Sequence, residues 1–352
     1  MGLAAATVYA MIHFGLIEVD SLLQAFQKGS PWLAAAFLLG LFSTLVNLVR
    51  YSKLLRLLGI NISGKSTIAA TSVSLFAGQW LPGSMAVSEA LRVGLMVGAT
   101  RLADTSLEAG AKARIFVASF LDRACGLIVF LSIGSLASAV ALGLGSHAAN
   151  DELAKHEFSI LVGLMILGFC GAASLLSLPW LAKHPKPLAL LNKMLLNLEN
   201  HSGLLGKMFH RILMLLKQVT GPMTESSFTQ MGFYKALSVS AVSNVACIFL
   251  FLACAKAVGS EMTFLQVAAV FPFLALAQIL PIGFGGIGGH QLVAVALFQA
   301  FTLDASGVAT VSLLQSVVSF LINSFIGVFF LQTSAKQLKA ILKKPTTNLN
   351  PV

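Results

Sequence analysis

Apolar runs of spanning or near-spanning length recur from one end of this chain to the other, and nothing else restricts its fold as much. They are Leu3–Ile17, Pro31–Val49, Thr67–Leu81, Met85–Val97, Ile115–Leu142, Phe158–Leu181, Ala236–Val258, Phe264–Leu280, Gln291–Phe301 and Gly307–Leu331. About 20 apolar residues cross a bilayer as a helix, and a chain inside hydrocarbon must satisfy its own backbone polar groups. Only 10% of the residues are charged, against about 25% in a soluble domain. The sequence therefore predicts an all-α, polytopic integral membrane protein, with residues 1–352 as a single transmembrane domain. Leu3–Ile17 is short enough to be a tilted or incomplete span. It lacks the basic start of an export signal, and Ala6 stands where a myristoylation motif wants Ser or Thr.

Charge sets the expected orientation. Arg50, Lys53, Arg56 and Lys65 follow the second run, and Arg101, Lys112 and Arg114 follow the fourth. The longest polar stretch, 183–235, carries seven lysines and arginines, and the C-terminal tail carries Lys336, Lys339, Lys343 and Lys344. The other loops are sparse or acid-leaning, as at Glu18, Asp20 and Lys28. The positive-inside rule then places both termini in the cytoplasm, at a bacterial inner membrane. The net charge of +10 follows from this bias and from anionic headgroups, with no call for nucleic acid. Residues 183–235 read as a basic amphipathic segment on the inner leaflet.

Two pairs of runs are interrupted. "LPGSMAVSEALR" breaks the first at Pro82 and Gly83, and "LPIGFGGIGGHQ" breaks the second at Pro281 and Gly283. Proline ends or kinks a helix, glycine lets the backbone turn, and the freed backbone groups cannot face lipid. A long run follows each pair, giving two halves, 67–142 and 264–331, inserted in opposite senses. This predicts two broken, re-entrant hairpins in an inverted repeat, with a site where they meet.

Candidate site residues fall around the breaks. Glu89 and Arg92 lie one helical turn apart after the first, and Asp122 and Arg123 interrupt the following run. Ionisable groups at membrane depth are costly and point to function, with an ion-pair lock between helices as the alternative. His290 and Gln291 occupy the matching place after the second break, and Asn323 follows Pro281 much as Asp122 follows Pro82. Ser84, Ser88, Gln278, Gln79 and Gln315 add polar lining, and Gly285, Gly286 and Gly288 permit close approach. Taken singly, each of these polar residues reads as a helix–helix hydrogen bond before it reads as a ligand contact.

Two nucleotide motifs match in form only. "GINISGKS" fits a P-loop and Gly283, Gly285 and Gly288 fit G-x-G-x-x-G, but neither follows a strand of a β-α-β unit. Cys125, Cys170, Cys247 and Cys254 form no C-x-x-C pair and read as packing residues. No metal or cofactor is called for.

"RYSKLL", "LPGSMAVSEALR", "LDRACGL" and "LPIGFGGIGGHQ", in that order, resemble the flippase-like integral membrane family named for the transmembrane region of lysylphosphatidylglycerol synthase. The likeness runs from about Pro31 to Leu331. Here Val87, Ser88 and Glu89 stand where the family usually has Gly-Gly-Asp, and His290-Gln291 where it has Arg-Glu. The resemblance implies movement of an amphipathic, anionic or phosphate-bearing lipid between leaflets, without enzymatic chemistry. Arg92 and Arg123 would receive the headgroup, balanced by Glu89 and Asp122. The alternatives are a membrane scaffold for a glycosyltransferase or lipid-modifying enzyme, or an intramembrane lipid enzyme.

Overall fold

The computed structural model describes residues 19–80, 84–102, 110–144, 152–183, 221–224, 228–277, 283–284, 287–298, 301 and 303–342, with Tyr9, His13, Lys193 and Met214. Their order is α1 (Val19–Gln27), α2 (Ser30–Leu57), α3 (Gly64–Gln79), α4 (Ser84–Leu102), α5 (Ala111–Leu144), α6 (Glu152–Lys183), α7 (Gln230–Val258), α8 (Phe264–Ala277), β1 (Gly283–Phe284), β2 (Ile287–Gly288), α9 (Gly289–Phe298) and α10 (Ala305–Leu342). Five segments, Ser30–Leu57, Ala111–Leu144, Phe158–Ser177, Gln230–Val258 and Ala305–Gln337, are long and apolar enough to cross a membrane. The protein is an all-α polytopic membrane protein. Among the described residues the only strand pairing is a short antiparallel ladder of Gly283 with Gly288 and Phe284 with Ile287.

Several boundaries differ from the sequence expectation. Residues 19–27 form a helix where a loop was expected, because Leu22 and Ala25 pack onto the core of the second half. Helix α2 continues past Val49 to Leu57, since Tyr51, Leu54 and Leu55 keep an inner face while Lys53 and Arg56 stay exposed. Helix α7 starts at Gln230, so Lys235 is an exposed helical residue. Helix α10 runs to Leu342, tied to α3 where Ser334 Oγ donates to the Ala69 carbonyl and Gln337 Nε2 to that of Ser66. Most of Leu3–Ile17 and of 183–235 lies outside the described residues.

The α2–α3 and α7–α8 turns are built alike. Gly59 and Gly259 both take the left-handed region, with φ of 78° and 81°, which costs glycine nothing. The N–H groups of Ile60 and Ser260 then donate back to the carbonyls of Leu55 and Ala255, each at 2.9 Å. Four residues beyond each glycine a hydroxyl opens the next helix. Ser63 accepts the Ser66 N–H at 3.2 Å. Thr263 forms a capping box with Gln266, whose Oε1 accepts the Thr263 N–H at 2.8 Å. "GINISGKS" is thus a corner between two helices.

Helices α2 and α7 cross antiparallel, and their contacts are reciprocal. Ser43 Oγ lies 2.7 Å from Ser243 Oγ across a separation of 200 residues. A Cβ on Gly40 would stand 2.7 Å from Leu250 Cδ1, and Arg50 Nη1 donates to Ser240 Oγ at 2.9 Å. Adding or subtracting 200 exchanges those last two contacts. The outward faces match as well: Phe42, Leu45 and Val49 are exposed on α2, and Val242, Val245 and Phe249 on α7. Apolar stripes of this extent suit lipid contact.

Two helix pairings join distant parts of the chain. Helix α3 packs along α10, where Gly327 admits Phe76, and α8 packs along α5, where Gly134 admits Pro272 and Phe273.

Candidate functional site

Asp122 on α5 is 3% exposed and joins three helices. One carboxylate oxygen accepts from Arg50 Nε of α2 at 2.7 Å, and the other from Arg92 Nη1 of α4 at 2.9 Å. Arg92 Nη2 also donates to Glu89 Oε2 at 2.5 Å and to the Ser119 carbonyl at 3.3 Å. Its guanidinium lies 4.3 Å from the centre of the Tyr51 ring, and the Tyr51 hydroxyl is 3.0 Å from Ser119 Oγ. A cation over an aromatic face is attracted by the ring quadrupole. The chain of pairs ends where Arg123 Nε donates to Glu89 Oε1 at 2.6 Å.

Exposure is graded along this chain. The Arg50, Arg92 and Asp122 side chains are 5%, 3% and 5% exposed, Glu89 is 24% and Arg123 is 38%. Three guanidinium groups face two carboxylates, so the cluster carries one net positive charge. Buried ion pairs repay their desolvation only with good geometry and further hydrogen bonds. Asp122, with both carboxylate oxygens paired, locks the helices together, while the buried Arg92 Nε has no partner among the described residues. Glu89 and Arg123 form the more exposed end of the chain of pairs.

Arg50 corrects the expectation that it belongs to a loop. It is 5% exposed, lies within α2 and is paired. The signal was present as the row Gly40, Ser43, Asn47, Arg50 and Leu54, spaced by three and four residues, which puts Arg50 on the inner face. Gly126 lies alongside it, where a Cβ would stand at an ordinary contact distance of 3.6 Å from Arg50 Nη1. The Gly126 carbonyl accepts from Asn244 Nδ2 at 2.7 Å. By residue count Arg50 lies about 10 Å inside the end of α2, and Asp122 about 16 Å inside the start of α5. Lys53, Arg56 and Lys112 are exposed on these same helix ends.

The second half carries no such charges. His290 and Gln291 are 3% and 0% exposed. His290 Nδ1 is 2.9 Å from Ser312 Oγ, and Gln291 Nε2 donates to Ser316 Oγ at 3.3 Å. Further along α10, Gln315 Nε2 donates to Ser319 Oγ at 3.0 Å. Gln79, the last residue of α3, donates to the Ser319 carbonyl at 3.5 Å. Both hairpins therefore reach the same short stretch of α10. Asn323 is half-buried, one turn beyond Ser319 on that face. Ser88 is 4% exposed and its Oγ has no protein partner.

Ser84 opens α4, and Gly283 and Gly288 pair in the ladder. Pro82, Gly83, Gln278, Pro281, Gly285 and Gly286 lie outside the described residues. Among the described residues no group of three or more His, Cys, Asp or Glu side chains is arranged to hold a metal.

Comparison with known families agrees with this architecture: the family model described as lysylphosphatidylglycerol synthase TM region matches residues 1–327. No curated protein and no solved structure matches the chain.

Proposed function

Because the chain belongs to the lysylphosphatidylglycerol synthase transmembrane-region family, we propose that it moves an amphipathic lipid with an anionic or phosphate-bearing headgroup between leaflets. The observation that carries this reading is the graded ion-pair chain. A purely structural lock would end buried and balanced. This one carries a net positive charge and surfaces at Glu89 and Arg123. A guanidinium at that end can exchange a carboxylate for a phosphate in bidentate geometry.

The reciprocal α2–α7 crossing supports an inverted repeat. A two-fold relation between antiparallel spans has its axis in the membrane plane, which suits alternating access by rocking of one half on the other. The α3–α10 and α5–α8 pairings would carry that motion to both breaks. In this reading the protein sits in a bacterial inner membrane with the Lys53, Arg56 and Lys112 end cytoplasmic, needs no cofactor and makes or breaks no bond.

The test is translocation of a headgroup-labelled anionic lipid in vesicles containing the purified protein. Wild-type protein should expose the label to an external quencher, and Arg123→Ala should slow that exposure. Equal rates in the two would overturn the assigned role. Stable co-purification of a glycosyltransferase, with no translocation by the isolated protein, would favour a scaffold. A changed lipid mass would favour an enzyme.

A further inference from the structure

Arg50, Asp122 and Ser240 join α2, α5 and α7, with Asp122 and Ser240 both accepting from the Arg50 guanidinium. At the separation of 200 that relates Ser43 to Ser243 stand Leu250, Ile322 and Gly40. These three also meet. A Cβ on Gly40 would run into Ile322 Cδ1 and stand 2.7 Å from Leu250 Cδ1. Leu250 and Ile322 are 4% and 2% exposed and belong to one apolar core. The α2–α5–α7 junction is thus matched by an α7–α10–α2 junction built from its own counterparts. The neighbours follow suit. Tyr51, beneath the Arg92 guanidinium, corresponds to Phe251, stacked on Phe298, and both are 0% exposed.

The two junctions lie on opposite sides of the Ser43–Ser243 contact. Arg50 follows Ser43 by two turns of α2, and Leu250 follows Ser243 by two turns of α7, about 10 Å each along antiparallel helices. The Arg50 junction is on the side of the exposed Lys53, Arg56 and Lys112. Their chemistry differs. Parting Arg50 from Asp122 leaves two charges in a low-dielectric surround, so each needs a polar replacement for the other. Parting Gly40 from Leu250 and Ile322 loses only apolar packing, which lipid tails as apolar as leucine restore.

We propose that the two junctions are the paired closures of one rocking device. Arg50, Asp122 and Ser240 close it toward the basic helix ends, and Gly40, Leu250 and Ile322 close it on the far side. The device rests on the transport reading for its motion, whereas the pairing of the junctions rests on the contacts alone. Its consequence is a one-sided gate. Opening at the basic end is tied to a polar or charged group that takes the place of the ion pair. Opening at the far end is not.

Two experiments on the full chain test this, and they fail separately. The first moves the ion pair and needs no transport. Leu250→Arg and Ile322→Asp each bury a lone charge and should sharply cut the yield of monodisperse protein. The triple variant Gly40→Ser, Leu250→Arg, Ile322→Asp should recover at least about tenfold over either single one, since the charges then meet. A triple variant no better than the single ones would overturn the equivalence of the junctions. The second experiment locks the apolar closure. Gly40→Cys with Ile322→Cys, in a chain carrying Cys247→Ser, should cross-link under mild oxidant. No cross-link would overturn the α2–α10 contact and the closure with it. The cross-linked protein should translocate headgroup-labelled phosphatidic acid in vesicles at least about tenfold more slowly, and reduction should restore the rate. Equal rates before and after reduction would overturn the closure and leave transport standing. Wild type that moves no lipid would overturn the transport reading and the device, while a recovered triple variant would keep the junctions paired.

Discussion

Ser43 and Ser243 hydrogen-bond to one another through their hydroxyls at 2.7 Å, so two residues separated by 200 positions are each other's contact. The same separation relates Gly59 to Gly259, both left-handed, and Ser63 to Thr263, both at helix starts. If the proposed inverted repeat holds, this contact would lie on its two-fold axis, as self-matching contacts do in isologous interfaces. Small side chains there let the backbones of α2 and α7 approach closely, the usual solution between membrane helices.

The crossing can be tested with one native cysteine. Ser43 Oγ is also 3.0 Å from Cys247 Sγ, and the free cysteines Cys125 and Cys254 are buried. A Ser43→Cys chain exposed to a mild oxidant should form an intrachain disulfide to Cys247, found as a linked peptide by mass spectrometry. A link to Cys170, or none, would show that α2 and α7 are registered differently. Sulfur atoms bridge only from closely spaced α-carbons.

Glycines on a single helix give a second check. A Cβ on Gly134 would stand 2.8 Å from Phe273 Cε2 and 3.2 Å from Pro272 Cβ, whereas one on Gly143 would meet nothing within 4 Å. Gly134→Ala should therefore cost about 1–3 kcal/mol of stability through overpacking. Gly143→Ala should be neutral or gain up to about 1 kcal/mol from helix propensity. Thermal unfolding of the two variants side by side measures the difference, and equal effects would contradict the α5–α8 packing.

The spans were legible in the sequence because a membrane helix writes itself as an uninterrupted apolar run. The exceptions share one cause. Charge signals a loop to a hydropathy argument, but Arg50 is buried because Asp122, seventy-two residues away, neutralises it. Lys235 and Lys339 are helical because their exposed faces tolerate charge while the opposite faces pack. Glu89, Arg92, Asp122 and Arg123 were identifiable as charges within apolar segments, but their order, with Arg92 buried and Arg123 at the exposed end, depends on helix packing. Ser312 and Ser316 carried no signal of their own. They matter because His290 and Gln291 reach them.

Acid should expose one helix cap selectively. Asp304 precedes α10, and its carboxylate accepts from the Ser306 hydroxyl and, at 2.8 Å, from the Gly307 N–H. The Ser306 bond first, then the Gly307 bond, hold its pKa below the usual carboxylate value. A depressed folded-state pKa means the contribution is fully present above the ordinary value, about 3.9, and is lost as pH falls through the depressed one. Asp304→Ala should cost about 1 kcal/mol at neutral pH, as caps do. That gap should close as pH falls through the depressed value. A gap independent of pH would mean the carboxylate is not the cap.

The ion cluster predicts that stability and transport separate along its length. Asp122 holds two arginines whose side chains are 5% and 3% exposed, so Asp122→Ala leaves two buried cations short of their partner. Breaking one buried pair costs about 3–5 kcal/mol, enough to lower the folded yield sharply. Arg50→Ala should cost less, because Arg92 still satisfies Asp122. Arg123 is 38% exposed, and a pair of that exposure is worth about 0–1 kcal/mol. Arg123→Ala should therefore fold almost normally. If the open end of the cluster receives the headgroup, the same variant should lose about tenfold or more in lipid translocation, equivalent to about 1.4 kcal/mol of barrier. Unfolding curves and vesicle assays on the three variants give two rankings, with stability lowest for Asp122→Ala and transport per folded molecule lowest for Arg123→Ala. A cluster that only locks helices would give a single ranking in both assays.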